Sequence, residues 1–318
     1  MRVFLAGATG AIGKRLVPLL VANGHVVTGT TRSPEKAERL RAAGAEPVVA
    51  DALDESAVLK AVTRAEPEVV VHQATALSSL DLRKFDESFA LTKRLRTEGT
   101  DHLLAAAVAA GARRFVAQSF AGWPYAREGG PARSEDDPLD PSPPEAMRRT
   151  LDAIRYLEST VVEAKGIEGL ALRYGGFYGP ETSISEGGEH WEAVRRRRFP
   201  IVGSGSGVWS FVHIDDAAAA TMAALERGRP GVYNVVDDDP APVSEWLPAL
   251  AAAIGAKPPR RLPAWVGRLA AGEAGVVMMT EIRGASNAKA KRELGWTLQH
   301  PSWREGFRTL ATRSRAAA

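Results

Sequence analysis

Cysteine is absent from all 318 residues, which removes disulfides, thiolate nucleophiles and thiolate-bound metals together. Acid and base chemistry therefore falls to oxygen and nitrogen groups, and no metal is expected. Long apolar runs are missing as well. None approaches the roughly 20 residues that cross a bilayer, although 45% of the chain is hydrophobic, so no membrane partner is expected. Charge of one sign is not in excess: 41 Lys and Arg face 38 Asp and Glu, a net of +3. That balance argues against nucleic acid as a partner. The basic run Arg195 to Arg198 reads as a solvated helix end, with contact to an anionic substrate group as its alternative. An apolar strand and a turn begin at once, where an export leader would need a basic segment and a long apolar core. No leader is expected, and the cytoplasm is the expected location.

Glycine, in contrast, is placed with a pattern. Val3 to Ala6 is a short apolar run, and Lys14 to Ala22 carries helix-forming residues. Between them lie Gly7, Ala8, Thr9, Gly10, Ala11, Ile12 and Gly13. Glycines where a strand turns into a helix make a dinucleotide site. Gly7 allows the tight turn, Gly10 lets backbone approach a pyrophosphate, and Gly13 lets helix and strand pack closely. The N–H groups opening the helix then face the phosphates.

His25 to Thr30 predicts a second strand that ends at Thr31, Arg32 and Ser33. A carboxylate here would hold the ribose hydroxyls of NAD, whereas an arginine accommodates the extra phosphate of NADP. The expected cofactor is therefore NADP ahead of NAD. Residues 46–50 form a third strand, followed by Asp51, Ala52 and Leu53 at its carboxyl end, where ligands sit in an open parallel sheet. For Asp51, adenine contact competes with helix capping. Val69 to His72 is a continuous apolar fourth strand, as expected where helices cover both faces. Gln73, Ala74 and Thr75 then supply small and polar residues near the pyrophosphate and nicotinamide ribose. A helix is expected within 77–98 and another over 99–110. A fifth strand runs from Arg114 to Ser119, a helix spans 145–165, and a sixth strand covers 170–173. This alternation predicts an α/β fold with a Rossmann-type doubly wound parallel sheet.

At this point the chain resembles the extended short-chain dehydrogenase/reductase family, also called the NAD-dependent epimerase/dehydratase family. The resemblance rests on several motifs in order. They are the Gly7, Gly10, Gly13 spacing, Ser119 after the fifth strand, and the run from Leu172 to Pro180. Val212-His213-Ile214-Asp215-Asp216-Ala217 and Asn287 to Trp296 complete the set. The resemblance implies cofactor contacts from Arg173, Gly176 and Phe177. It also implies a cofactor domain over 1–180, with 211–231 returning to it, and a smaller substrate domain from 181–210 and 232–318. Trp191, Ile201, Trp209 and Phe211 fall in regions the family places over the substrate. The family's paired helices commonly form homodimers, and its partners are small-molecule substrates.

The resemblance breaks at the chemistry. The family uses a tyrosine to exchange the substrate proton and a lysine four residues later to lower its pKa. Counting back from Arg173 by the usual length puts Thr150 and Ile154 at those places. A threonine hydroxyl is a far poorer acid than a phenol, and isoleucine carries no charge. Tyr156 is the nearest tyrosine, but Thr160 stands where its lysine would be. Tyr125 is the first candidate for a replacement donor, because it follows Ser119 on the same strand-end loop and a phenol can donate to a developing oxyanion. Ser119 can polarise a carbonyl. Arg96 can bind an anion or stand in for the missing ammonium charge. His213 is read as ordering structure.

The leading expectation is an NAD(P)-dependent oxidoreductase, using NADPH by preference, that acts on a small or medium organic carbonyl or activated double bond with a non-standard proton donor. The alternatives are a sugar-nucleotide epimerase or dehydratase, and a non-catalytic NADP-sensing regulatory protein.

Overall fold

A computed structural model describes residues 1–76 and 81–317, with side chains through Leu310. The chain opens as β1 (Arg2–Ala6), α1 (Gly13–Ala22), β2 (Val26–Thr31), α2 (Pro34–Ala42), β3 (Glu46–Val49), α3 (Glu55–Ala65) and β4 (Val69–His72). It continues through α4 (Phe85–Ser88), α5 (Ala90–Arg96), α6 (Glu98–Ala109), β5 (Arg114–Phe120), α7 (Glu145–Val162) and β6 (Glu168–Tyr174). The remainder holds α8 (Glu189–Arg195), α9 (Ile214–Ala223), β7 (Gly231–Val235), α10 (Val243–Ala253), α11 (Ala264–Thr280), α12 (Ala288–Leu294) and α13 (Trp303–Ala317), with several two- and three-residue pairings between them. The helix expected within 77–98 arrives as three short pieces, a 3-10 turn at Leu82–Lys84 followed by α4 and α5. Leu77 to Leu80 lie outside the described residues.

The seven strands form one parallel sheet in the order β7-β6-β5-β4-β1-β2-β3. Alternate residues of each central strand face opposite layers, as the two-residue period of a strand requires. Val3, Leu5, Val69, Val71, Leu170 and Leu172 pack on one side with Leu16 and Leu20 of α1 and with Ala217 and Ala220 of α9. Phe4, Val70, Phe115 and Ala171 pack on the other with Val58, Val62, Leu103, Leu157 and Val161 from α3, α6 and α7. Burial on both faces explains why these strands read as unbroken apolar runs. The order in which strands are added reverses between β1 and β4, and the crevice at that switch is where the fold leaves room for a ligand.

Two late segments belong to the central unit beyond the expected boundaries. Gly231–Val235 pairs along β6, so the returning stretch extends through Val235 instead of stopping at 231. Ala290, Leu294 and Trp296 lie in the same core as α1, because the apolar face of α12 covers the outer side of β7. A separate core is built from Trp246, Leu247, Leu250, Phe211, Trp303 and Phe307. Ile201 and Phe211, expected over the substrate, are 1% and 0% exposed inside this core, and Trp209 packs at its edge. Their aromatic mass holds α10 and α13 together. Trp191 is also buried.

Candidate functional site

A cleft of about 490 Å³ opens at the carboxyl ends of β1, β2, β3 and β4. Its floor is the turn after β1. Gly7 has φ of +85°, and a Cβ there would stand 2.6 Å from the Gln73 carbonyl carbon, so only glycine lets this turn lie against the turn after β4. Gly13 does not line the cleft. A Cβ on it would meet the Ala8 carbonyl oxygen at 2.4 Å, so its role is the close packing of helix on strand. No side chain caps the N-terminus of α1, which leaves the first-turn N–H groups available to an anion.

Thr9, Gly10, Ala11 and Ile12 form the near wall, and Thr31, Arg32 and Ser33 the outer end. Asp51, Ala52, Gln73, Ala74, Thr75 and Phe177 also line the cleft. Asp51 is not a helix cap: Asp54 is, accepting the Ala57 N–H at 3.0 Å, while Asp51 Oδ1 accepts the N–H of Leu53 at 3.0 Å. Leu53, Gly176 and Arg173, expected to touch the cofactor, are not among the cleft residues. Leu53 serves the turn through its backbone, and Gly176 sits in a short parallel pairing with Phe211. The cleft adds Thr30, Lys36, Ala50, Leu95 and Gln118, which the sequence reading missed. Lys36 was readable as the residue one helical turn beyond Arg32. Gln118 was readable from strand alternation, since it faces opposite to its neighbour Ser119.

At the outer end Arg32 and Lys36 are exposed. No carboxylate stands at the end of β2, where Thr31 Oγ1 accepts the Ser33 N–H at 3.2 Å and the Ser33 side chain caps α2. At the inner end His72 is buried, with Nε2 3.0 Å from the Leu95 carbonyl and Nδ1 accepting the Ala74 N–H at 3.4 Å. Burial, with the Arg96 charge beside it, pulls its pKa down to about 4. The ring is therefore neutral, and it ties two cleft-lining segments together.

The expected catalytic residues are brought near one another but face inward. Ser119 is 1% exposed and donates to Glu158 Oε1 at 2.6 Å. Arg173 clasps the same carboxylate, Nε to Oε1 at 2.7 Å and Nη2 to Oε2 at 2.6 Å. Its Nη1 donates to the Tyr125 hydroxyl at 2.8 Å, and that hydroxyl donates to Asn234 Oδ1 at 2.6 Å. Glu135 accepts the Asn234 backbone N–H at 2.7 Å, which closes the chain of contacts. Tyr125 is 0% exposed, outside the cleft, and burial pushes its phenol up to about 12. The expectation that it faces the nicotinamide is thus corrected, because its hydroxyl is spent cross-linking β5, β6 and β7. Arg173, expected to contact the cofactor, is likewise buried and does not line the cleft.

Thr150 and Ile154 are both 0% exposed. The Thr150 hydroxyl donates to Asp86 Oδ1, and the same carboxylate takes the Arg149 and Thr150 N–H groups at 3.1 and 2.8 Å. Ile154 packs with Phe85, Phe89, Trp123 and Leu151. Tyr156 points away, its hydroxyl on Asp101 at 2.8 Å. His213 caps α9 by accepting the Asp215 N–H at 3.3 Å. It stacks on His300 with ring centroids 3.7 Å apart, and Asp215 lies beside both. Arg195 and Arg196 pair with Glu192 on an exposed helix end.

This geometry has clear relatives. The sequence profile of the NAD dependent epimerase/dehydratase family matches residues 3–235. A 3-diazoavenalumate denitrifying reductase from a Streptomyces species is 47% identical over 96% of this chain and 99% of its own. A 4-hydroxy-2-methyl-3-oxo-4-farnesyl-3,4-dihydroquinoline-1-oxide ketoreductase from Stigmatella aurantiaca is 28% identical over 81% of this chain and 74% of its own. Among solved structures, the UDP-glucose 4-epimerase of Thermotoga maritima with UDP-glucose superposes with a TM-score of 0.78 at 22% identity, covering 100% of this chain and 99% of that one. A human epimerase family protein with NADPH gives 0.75 at 22% identity over 98% of this chain and 99% of its own.

Removing the charge from Glu158 would leave the Arg173 guanidinium buried without its anion. Glu158→Gln is expected to cost about 3–5 kcal/mol of stability, the range for breaking one side of a buried pair. Urea unfolding followed by circular dichroism measures it; a loss under about 1 kcal/mol would show that the pair does not hold β5, β6 and α7 together.

Proposed function

The chain belongs to the NAD dependent epimerase/dehydratase family, and from that premise we propose that it is an NADPH-using reductase whose acceptor needs hydride but no proton from the protein. The family is nicotinamide-dinucleotide dependent, and its members among the relatives are reductases and epimerases. The residues present fit such a cofactor. The Gly7 turn leaves no space that a Cβ could fill, the uncapped start of α1 offers N–H groups to a pyrophosphate, and Thr75, Leu95, Gln118 and Phe177 enclose the inner end. Among the described residues neither Arg32 nor Lys36 has an ion-pair partner, so both charges remain for a ribose phosphate, which supports NADP over NAD.

A bound reduced nicotinamide would supply the hydride. What the protein supplies beside it carries the reading: Thr150 and Ile154 are sealed in the interior, and Tyr125 has both hydroxyl functions engaged. Reduction of a ketone needs H⁻ and then H⁺, and among the described residues of the inner cleft no acid of suitable strength stands ready. A carbon bearing a diazonium group differs, because R–N₂⁺ + H⁻ gives R–H + N₂ with charge and atoms balanced and no proton required. The relative that is 47% identical bears the name of a denitrifying reductase of a diazo compound, which supports this acceptor class. Positioning is then the protein's main contribution, through the Gln118 and Phe177 walls and exclusion of water.

Purified protein with NADPH is expected to release one N₂ per NADPH oxidised from carboxybenzenediazonium, measured by gas chromatography and nicotinamide absorbance. Its turnover of simple ketones and enones should be at least about 100-fold slower. Ketone reduction without dinitrogen release would overturn the reading. Tyr125→Phe is expected to leave kcat within about threefold and the rate flat from about pH 6 to 9, since its phenol is protonated throughout that range. A bell-shaped profile abolished by the substitution would restore Tyr125 to the chemistry. Arg32→Ala should lower kcat/KM for NADPH by roughly 10–100-fold and leave NADH nearly unchanged; an equal fall with both cofactors would remove the phosphate contact.

A further inference from the structure

Two large apolar side chains stand in water far from the cleft residues. Trp265 and Leu269 are 65% and 71% exposed, more than any other large hydrophobic residue among the described ones. They lie four apart on the first turns of α11 and therefore share a face. Gly272, with φ of +69° and ψ of −174°, interrupts the helix just beyond them. Residues 264–271 are thus a short arm, distinct from the half of α11 that buries Ala274, Val277 and Met278. The inner side of the arm is fixed, since a Cβ on Gly267 would meet Val202 Cγ1 at 2.2 Å. Its outer side, with Trp265, Arg268 and Leu269, is left to solvent.

Positive charge gathers at the root of this arm. Ile201 and Val202 pair in parallel with Arg261 and Leu262, and the Ile201 N–H donates to the Arg260 carbonyl at 2.8 Å. Arg197 Nε donates to the Pro258 carbonyl at 3.1 Å. These contacts lay the basic run 195–198 beside 257–261. Segments 195–198 and 257–268 hold eight basic residues and no acidic one. Glu192 pairs with Arg195 and Arg196, and Glu273 with Arg268. Arg198, Lys257, Arg260 and Arg261 are exposed, and among the described residues none of them has an ion-pair partner. Unlike Arg96, which is buried with Nε and Nη1 unpartnered, these charges face water. Even with Glu192 and Glu273 set against them, their excess is larger than the net of +3 for the whole chain. The remainder of the chain is therefore net acidic, and such an asymmetry turns the patch toward an anionic surface.

We propose that this patch docks the protein on an anionic lipid bilayer: the arginines and Lys257 meet headgroup phosphates, while Trp265 and Leu269 enter the boundary between headgroups and acyl chains. Binding of this kind adds apolar burial to electrostatic attraction, and the patch offers both. A nucleic acid would satisfy the charges and leave Leu269 in water. The expectation of no membrane partner came from the lack of a spanning run. No helix among the described residues is long and apolar enough to cross a membrane, and docking on its surface requires none.

The test sediments the full chain with vesicles of phosphatidylcholine, either alone or with about 30% phosphatidylglycerol. Wild-type protein should bind the anionic vesicles at least about tenfold more tightly than the neutral ones, and roughly 0.5 M NaCl should remove most of that preference. Arg260→Gln/Arg261→Gln should weaken binding to anionic vesicles by roughly 10–30-fold. Trp265→Ser/Leu269→Ser should weaken it at least about tenfold, with both double variants melting within about 3 °C of wild type because the replaced side chains are exposed. Of the seven tryptophans only Trp265 is exposed, so brominated acyl chains should quench the emission of wild type and not of Trp265→Phe. No preference for anionic vesicles, or unchanged binding in either double variant, would overturn the proposal. Retention on duplex DNA without sedimentation on vesicles would overturn it as well and assign the patch to nucleic acid.

Discussion

The structure depends on how closely the turn after β1 lies against the turn after β4. Gly7 adopts a left-handed backbone with the Gln73 carbonyl carbon only 2.6 Å from where a side chain would begin. Because the two turns touch, β1 and β4 stay paired to their ends and the Gln73 N–H bonds the Ala6 carbonyl at 2.8 Å. The order in which strands are added reverses at that parallel pair, and the crevice above it receives Thr9 to Ile12 from one side and Gln73 to Thr75 from the other. A bulkier turn would separate these two walls before any ligand entered.

Around that crevice the protein divides its charges by location. The outer end displays Arg32 and Lys36 to solvent, where a charged side chain costs little and can meet a mobile phosphate. The interior holds Arg173, Glu158 and Arg96, where each unpaired charge is expensive. Ser119, Tyr125 and Asn234 extend the Arg173–Glu158 pair into a network reaching across β5, β6 and β7. A network with its members satisfied stiffens a sheet edge.

Much of the framework was legible because burial on both faces of a parallel sheet imposes continuous apolar segments. Val69 to His72 and Arg114 to Ser119 could be placed within a residue or so for that reason. The lining of the strand-end cleft was also legible at Gly7, Thr9 to Ile12, Thr31 to Ser33 and Gln73 to Thr75, since the strand-end positions follow from topology. Tyr125 was misread because position on a loop after a strand does not say which way the side chain turns. Its orientation is set by Arg173 and Asn234, 48 and 109 residues away. Gly231–Val235 and α12 fell on the wrong side of the expected boundary for a related reason: the sheet edge they cover is assembled from distant segments.

Local sequence by itself determined the order of strands and helices and the glycine turn, because each of these is a property of neighbouring residues. Only tertiary structure decided that Ser119 and Tyr125 face inward, that Lys36 and Gln118 join the cleft, and that Arg96 is left without an anion. Those outcomes follow from which long-range partners satisfy each buried polar group, and a linear pattern carries no record of that pairing.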